Sequence, residues 1–384
     1  MMRTIFVMAV ACGLWPFAQA FPHAGHVDKP AKHDDSQVIT IAQDANSGAA
    51  SPSSSGVSGQ GKLKFRVLYT SSHLPAIARG VVVRAHGGFA VDRREGRGEI
   101  YFALPDAGIL KIDSDLKSIK VLDTAPEMRG ANMHNTTVWF DAEDNGYLVF
   151  PSTDRAKVFT TTLTGTLMHV LGTPTPKTQF GVEAVNRYFG EKGNFVPTDV
   201  EYAGGNYFVT TGYSKLDYVL SAEVSVRNPA GQTSVSAAWT PLAFGGKGTE
   251  AGQFGTGHGV TLAPDGKTLV VSDRPHAELD RFTQAGEYMG TVKLPEGSFP
   301  CDIDFESNLA IVGCLNGPDR SKGAPIYILQ DRKVISTIMP KEELGLKNFQ
   351  HIHNAVLVKR NGKLYVIAQA WNPGDFAILE QVTD

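Results

Sequence analysis

Two histidines stand one residue apart in "QHIHNAVLV", at the mouth of a run that otherwise alternates like a buried strand. A ring nitrogen buried there without a partner costs about 1–3 kcal/mol, so packing alone does not ask for it. The arrangement recurs. "RAHGGFAVD", "NMHNTTVWFD", "FVPTDVEYA", "GTGHGVTLAP", "SFPCDIDF" and "QHIHNAVLV" each close a short segment on a small, polar or histidine residue, then alternate into Val, Phe or Leu. The residues heading these strands are His86, His134, Thr198, His258, Cys301 and His353. Only 11 of 384 residues are histidine, so four imidazoles at six equivalent positions point to a shared ligand. Imidazole suits zinc best among the abundant divalent metals, with copper, nickel or iron behind it. Three protein donors plus an open position make a catalytic site, whereas structural sites close all four.

Residues so far apart in the chain meet only if a repeated fold gathers them. Successive heads lie 48, 64, 60, 43 and 52 residues apart, the length of one four-stranded propeller blade with loop variation. Each head segment continues through a turn into a second β-rich run, such as "GEIYFAL", "GYLVFPS", "DGKTLVVSD" and "GKLYVIAQ". Six units predict an all-β, six-bladed β-propeller, with a sandwich or double domain as the alternative. After His353 only three strands are evident, and "KLKFRVLYTS" ahead of the first unit can supply the fourth. That N-terminal strand would close the ring and remove its open sheet edges. In a propeller the heads of the innermost strands converge on the central channel.

Forty glycines and 21 prolines agree with many tight turns. A formal charge of −3 offers no case for nucleic acid or an anionic membrane. Residues 1–20, "MMRTIFVMAVACGLWPFAQA", read as a secretory signal ending in an A-x-A cleavage site; Cys12 in "AVAC" is a weak lipidation alternative. No later apolar run approaches the ~20 residues of a membrane span. A periplasmic or secreted product is expected, and a monomer. Residues 21–61 are polar and Ser/Gly/Ala-rich, a disordered leader, in which His23, His26 and His33 with Asp34 and Asp35 either hold a metal loosely or are a solvated tether. Residues 62–384 form the propeller domain. Cys301 and Cys314 flank a predicted hairpin whose midpoint falls at Ser307 and Asn308, which sets them roughly opposite and predicts a cross-strand disulfide.

The stretch from Gly245 to Gly290, "GGKGTEAGQFGTGHGVTLAPDGKTLVVSDRPHAELDRFTQAGEYMG", resembles an NHL repeat in its G-Q-F lead-in, its histidine, its D-G turn and its D-R pair. With "FVPTDVEYAGGNYFVTTGY" and the His134 and His353 units, residues 80–384 resemble the catalytic core of peptidyl-α-hydroxyglycine α-amidating lyases. The resemblance implies zinc held on the axis by His134, His258 and His353, with calcium as a further ion. It implies Tyr213 as the base and Arg274 as its partner, in a reaction that splits a carbinolamide into an amide and glyoxylate. This chain departs from that pattern in three ways. Ala103 or Leu104 stands where a second family arginine is expected. His351 replaces a methionine two residues before the last zinc histidine. His86 and Cys301 add channel groups that the family's chemistry does not use. His86 and His351 could be ligands, donors to a ligand, or channel lining. Asp199, Asp273 and Asp302 read as turn or blade-contact residues, and Trp371 as a channel-mouth or blade-edge residue. The expected function is a zinc-dependent lyase acting on a small-molecule or peptide-like substrate. The alternatives are a non-catalytic periplasmic zinc carrier and an NHL protein- or glycan-interaction module.

Overall fold

The computed structural model describes residues 38–40, 56–228 and 231–382. Those residues form six antiparallel sheets, the six blades of a propeller. The innermost strands are, in order, Phe89–Val91, Thr137–Phe140, Asp199–Ala203, Gly257–Leu262, Pro300–Glu306 and Ile352–Arg360. Each lies against the next, and the sixth lies against the first, so the ring is closed. The sixth blade continues outward through Lys363–Ala370 and Asp375–Gln381 to Leu63–Thr70. Phe65 pairs with Gln381 and Thr70 with Ala377, so the N-terminal strand closes the ring as expected.

Why these segments are strands follows from where their side chains go. Six apolar clusters fill the six gaps between blades, one to each gap. Phe208 and Val219 of the third blade, for example, meet Leu269 and Val271 of the fourth. Both faces of an interior strand are therefore apolar, and β-branched and aromatic residues suit such surfaces. The spacings of 64 and 60 residues come from additions around blade three. An eight-residue helix, Glu183–Gly190, sinks Val185 and Phe189 into the cluster between blades two and three. Beyond it, Tyr218–Arg227 and Ser234–Gly245 form an overlong hairpin that reaches back to blade two, where Trp239 Nε1 donates to Gly172 O at 3.0 Å. Among the described residues no helix is long and apolar enough to cross a membrane.

The inner strands carry a local irregularity at their heads. The pairing register shifts between Gly257 and Gly259, between Pro300 and Asp302, and between Ile352 and Asn354. The residue left over in each bulge is a strand head: His258, Cys301 or His353. Bulges re-aim a side chain, and here they turn these three away from the blade. This corrects the disulfide expectation. Pro300, not Cys301, lies opposite Cys314, and both cysteines are free and buried. Cys314 packs in the cluster between blades four and five, while Cys301 belongs to the channel.

The leader boundary also moves. Ser58–Gln60 pairs with the closing strand, and Val38–Thr40 adds a fifth strand to the outer edge of blade one. The signal sequence, Cys12, and His23, His26 and His33 lie outside the described residues.

The closing strand makes a direct prediction. Phe65 is fully buried between blades five and six. Phe65→Ala should cost about 3–5 kcal/mol in urea unfolding. A loss below about 1 kcal/mol would mean that the strand is no part of the cooperative ring.

Candidate metal centre

Each strand head reaches across to the blade that follows it. His134 Nδ1 lies 2.7 Å from Thr198 O, His258 Nδ1 lies 2.7 Å from Cys301 O, and His353 Nδ1 lies 3.1 Å from Gly87 O. Between these, Thr198 Oγ1 donates to Thr210 Oγ1 at 2.9 Å, which donates to His258 O at 3.0 Å, and Cys301 Sγ donates to Ile352 O at 3.3 Å. A carbonyl can only accept, so Nδ1 carries the proton in all three imidazoles and Nε2 is left with a lone pair. Backbone fit is tight here. A Cβ on Gly259 would fall 2.5 Å from Cys301 O, the carbonyl that His258 holds.

The Nε2 atoms of His134 and His353 face each other, and the His258 ring stands beside them with its Nε2 on the Tyr213 hydroxyl. His134 and His353 Nε2 are 3.2 Å apart, and the ring centroids of His134, His258 and His353 are separated by 4.5–5.1 Å. The three residues are 0%, 3% and 2% exposed. Burial comes first among the causes that hold all three well below the usual imidazole range. Behind it stand His86 for His134, Arg274 for His258, and His86 again for His353. With Nδ1 of both His134 and His353 donating to a carbonyl, their two Nε2 lone pairs oppose each other in a buried site. A cation between them resolves that repulsion. For a tetrahedral zinc with bonds of 2.0–2.1 Å, the nitrogen–nitrogen edge is about 3.3–3.4 Å, close to the spacing found. The donor set therefore fits an imidazole-preferring divalent metal.

His86 completes the group, with its ring 4.4 Å from His134 and 4.5 Å from His353. One ring nitrogen from each of these three residues lies within 4.8 Å of the others. Burial holds His86 down to about 3, and Trp371 stacks on it at 5.1 Å, which places Trp371 at the channel mouth. His351 does not join them. Its Nδ1 donates to Leu315 O at 2.8 Å, and its ring is 6.1 Å from that of Trp371.

Tyr213 and Arg274 do meet at the site. The Tyr213 hydroxyl donates to His258 Nε2 at 3.1 Å and accepts from Arg274 Nη1 at 2.7 Å. The residue is 40% exposed while its hydroxyl points inward; burial raises the hydroxyl's pKa and the guanidinium opposes that rise. Arg274 also donates to Cys301 Sγ at 3.0 Å. It is 6% exposed, and its Nε is buried without a partner. Among the described residues no carboxylate pairs with it. A buried cation without a counter-charge is expensive, and an anionic ligand would supply that charge. Asp217 and Asp273 hold the loop leading to His258, accepting from the backbone N–H groups of Gly255, Thr256 and Gly257 at 2.9–3.1 Å. Ala103 and Leu104 are buried on Ile100–Leu104, so no arginine stands at that position. Asn132 was not singled out from the sequence, although it stands two residues before His134; its Nδ2 lies 3.0 Å from His86 Nδ1.

Beneath the histidines lies a layer of acids. Asp199 accepts from Val200 N and Val260 N. Asp302 accepts from Asn135, Thr261, Ile303 N and Asn354. Glu201 accepts from Tyr202 N and Leu262 N. These carboxylates bridge neighbouring blades, and with their oxygens so engaged they are poor donors for calcium, which needs six to eight oxygens. Below them a cavity of about 490 Å³ opens, lined by Arg93, Asn135, Thr136, Glu201 and Asp304 among others.

No protein-family model matches this chain, and no curated protein does. Similar solved structures include an inactive virginiamycin B lyase from Staphylococcus aureus with quinupristin, at 11% identity over 77% of this chain and 95% of that one, TM-score 0.43. Another is a gluconolactonase from Xanthomonas campestris, at 13% identity over 86% and 99%, TM-score 0.48. None of these similarities reaches a level at which side-chain chemistry transfers.

The acid layer makes the second prediction. Burial, the largest cause, pushes the Glu201 carboxyl from 4.5 up to about 7. A raised folded pKa contributes stability below the unfolded value and loses it as pH rises through the folded one. Between pH 5 and 8, wild type should lose roughly 1–3 kcal/mol more unfolding free energy than Glu201→Gln. Parallel pH profiles would refute the shift.

Proposed function

We propose that the chain is an exported, metal-dependent propeller enzyme of lyase type. One observation carries this reading: three buried imidazoles with tautomers set by backbone carbonyls gather at the axis, the lone pairs of His134 and His353 opposed and that of His258 on a tyrosine that an arginine holds. A divalent cation bound there supplies Lewis acidity, polarising a substrate oxygen and lowering the pKa of nearby acids. When His258 Nε2 is engaged, the Tyr213 hydroxyl loses its acceptor and is free to move a proton. Arg274 then has two tasks: it lowers the cost of ionising Tyr213, and it offers its unpartnered edge to an anionic group of the substrate. In the sharpest version, that of the amidating lyases, Tyr213 takes the hydroxyl proton of an α-hydroxyglycine. The O–H electron pair forms C=O, the C–N bond breaks, and the departing nitrogen takes a proton. The products are an amide and glyoxylate.

A second reading, zinc carriage without turnover, is favoured by the fourth imidazole. A structural site closes with four donors, and His86 stands where it could close this one.

Purified protein should hold about one equivalent of zinc, and His258→Ala should abolish it. Metal content unchanged by that substitution removes both readings. Tyr213→Phe should retain the metal while glyoxylate release from an α-hydroxyglycine peptide falls about 10²–10⁴-fold. Full metal with no turnover, and zinc passing to an acceptor protein, would decide for carriage.

A further inference from the structure

The geometry points to Asn132 as the residue that selects whether His86 joins the axial imidazoles as a fourth nitrogen donor. This rests on the axial cation of the preceding section and concerns a different question, how many donors the chain offers it.

His134, His258 and His353 have no choice of tautomer, because each Nδ1 faces a peptide carbonyl that cannot turn over. His86 is the exception. Its Nδ1 faces a side-chain amide, Asn132 Nδ2, at 3.0 Å. An amide nitrogen only donates, so His86 Nδ1 accepts and the proton sits on Nε2. In this arrangement the remaining ring nitrogen offers an N–H, which no cation can use.

The amide is not committed to that arrangement. Asn132 Nδ2 also donates to Thr153 Oγ1 at 2.8 Å, while Asn132 Oδ1 is buried with no partner. Turning the amide over places Oδ1 against His86 and Thr153. The threonine hydroxyl can donate as readily as accept, and His86 Nδ1 can carry the proton. Either orientation makes two hydrogen bonds and strands one amide atom, so the two are closely balanced. The Asn132 backbone is held in both, its N–H by Asp154 Oδ1 at 2.9 Å and its carbonyl by Thr153 N at 3.3 Å. The His86 ring is likewise held, stacked on Trp371 and set against His134 and His353. Only a proton and an amide change places. With the amide donating, the site has three nitrogens and an open position. With it accepting, the site has four and is closed.

The test is cobalt binding to the full chain, read by the visible spectrum and by competitive titration. Asn132→Asp offers oxygen alone, so it forces His86 Nδ1 to carry the proton and frees Nε2. It should give a four-nitrogen cobalt spectrum and bind cobalt about tenfold more tightly, the scale on which outer partners tune metal sites. The added negative charge could tighten binding by itself, so the deciding comparison is the same substitution in a His86→Phe background. There both changes should vanish. Survival of either one, or an Asn132→Asp spectrum and affinity equal to wild type, overturns the inference. Nitrogen-15 spectra of the apo protein give a second measurement. His86 should be Nε2-protonated in wild type and Nδ1-protonated in Asn132→Asp; one tautomer in both proteins overturns it too. Wild type that binds no cobalt would sink the axial cation and this inference together, whereas wild-type binding with silent variants sinks the inference alone.

Discussion

The structure turns on a relay of hydrogen bonds around the axis, in which the side chain at the head of one blade is held by the backbone of the next. His134 holds Thr198, Thr198 through Thr210 holds the His258 carbonyl, His258 holds Cys301, Cys301 holds Ile352, and His353 holds Gly87. Each link is worth only about 0.5–1.5 kcal/mol net. Their effect is geometric. Because the acceptor of each of these imidazoles is a carbonyl, each ring is locked in one tautomer, and its remaining lone pair can only face the channel. The contacts that join the blades and the contacts that arm the site are the same contacts.

That coupling explains why a β-rich core tolerates so many polar groups at its centre. The gaps between blades are apolar and carry the hydrophobic burial. The axis, where six strands converge and apolar side chains would leave backbone groups unmatched, is built instead from two polar layers. In the lower one, Asp199, Glu201 and Asp302 accept from donors on their own and neighbouring blades, at the cost of carboxyl pKa values pushed upward by burial. In the upper one, His134, His258 and His353 donate through Nδ1 and keep a lone pair on Nε2, that of His258 accepting from Tyr213.

The face of the upper layer is asymmetric. On one side Arg274 connects Tyr213 and Cys301 and carries a positive charge that no carboxylate among the described residues answers. On the other, His86 leans on Trp371 and depends on a single amide. An incoming molecule would meet a proton donor and a fixed charge on the first side and an adjustable nitrogen on the second. Cys301 belongs to this face because the bulge at the head of its strand turned it inward, away from Cys314.

The repeat of strand heads and the surplus of histidines at them were enough to place six blades, the closing strand and the convergence of His86, His134, His258 and His353. These follow from periodicity, which is local and additive along the chain. Tyr213 and Arg274 were legible only through likeness to a known pattern, since a tyrosine after a strand or a D-R pair has many uses. What the tertiary structure alone decided depends on fractions of an ångström and on neighbours distant in sequence. It decided that a one-residue bulge parts Cys301 from Cys314, that His351 is spent on Leu315, that Ser58–Gln60 belongs to the fold, and that Asn132 faces His86. Spacing can say which residues arrive at the axis. Which atom of each turns inward, and with what proton, is set by the carbonyls and amides that meet it there.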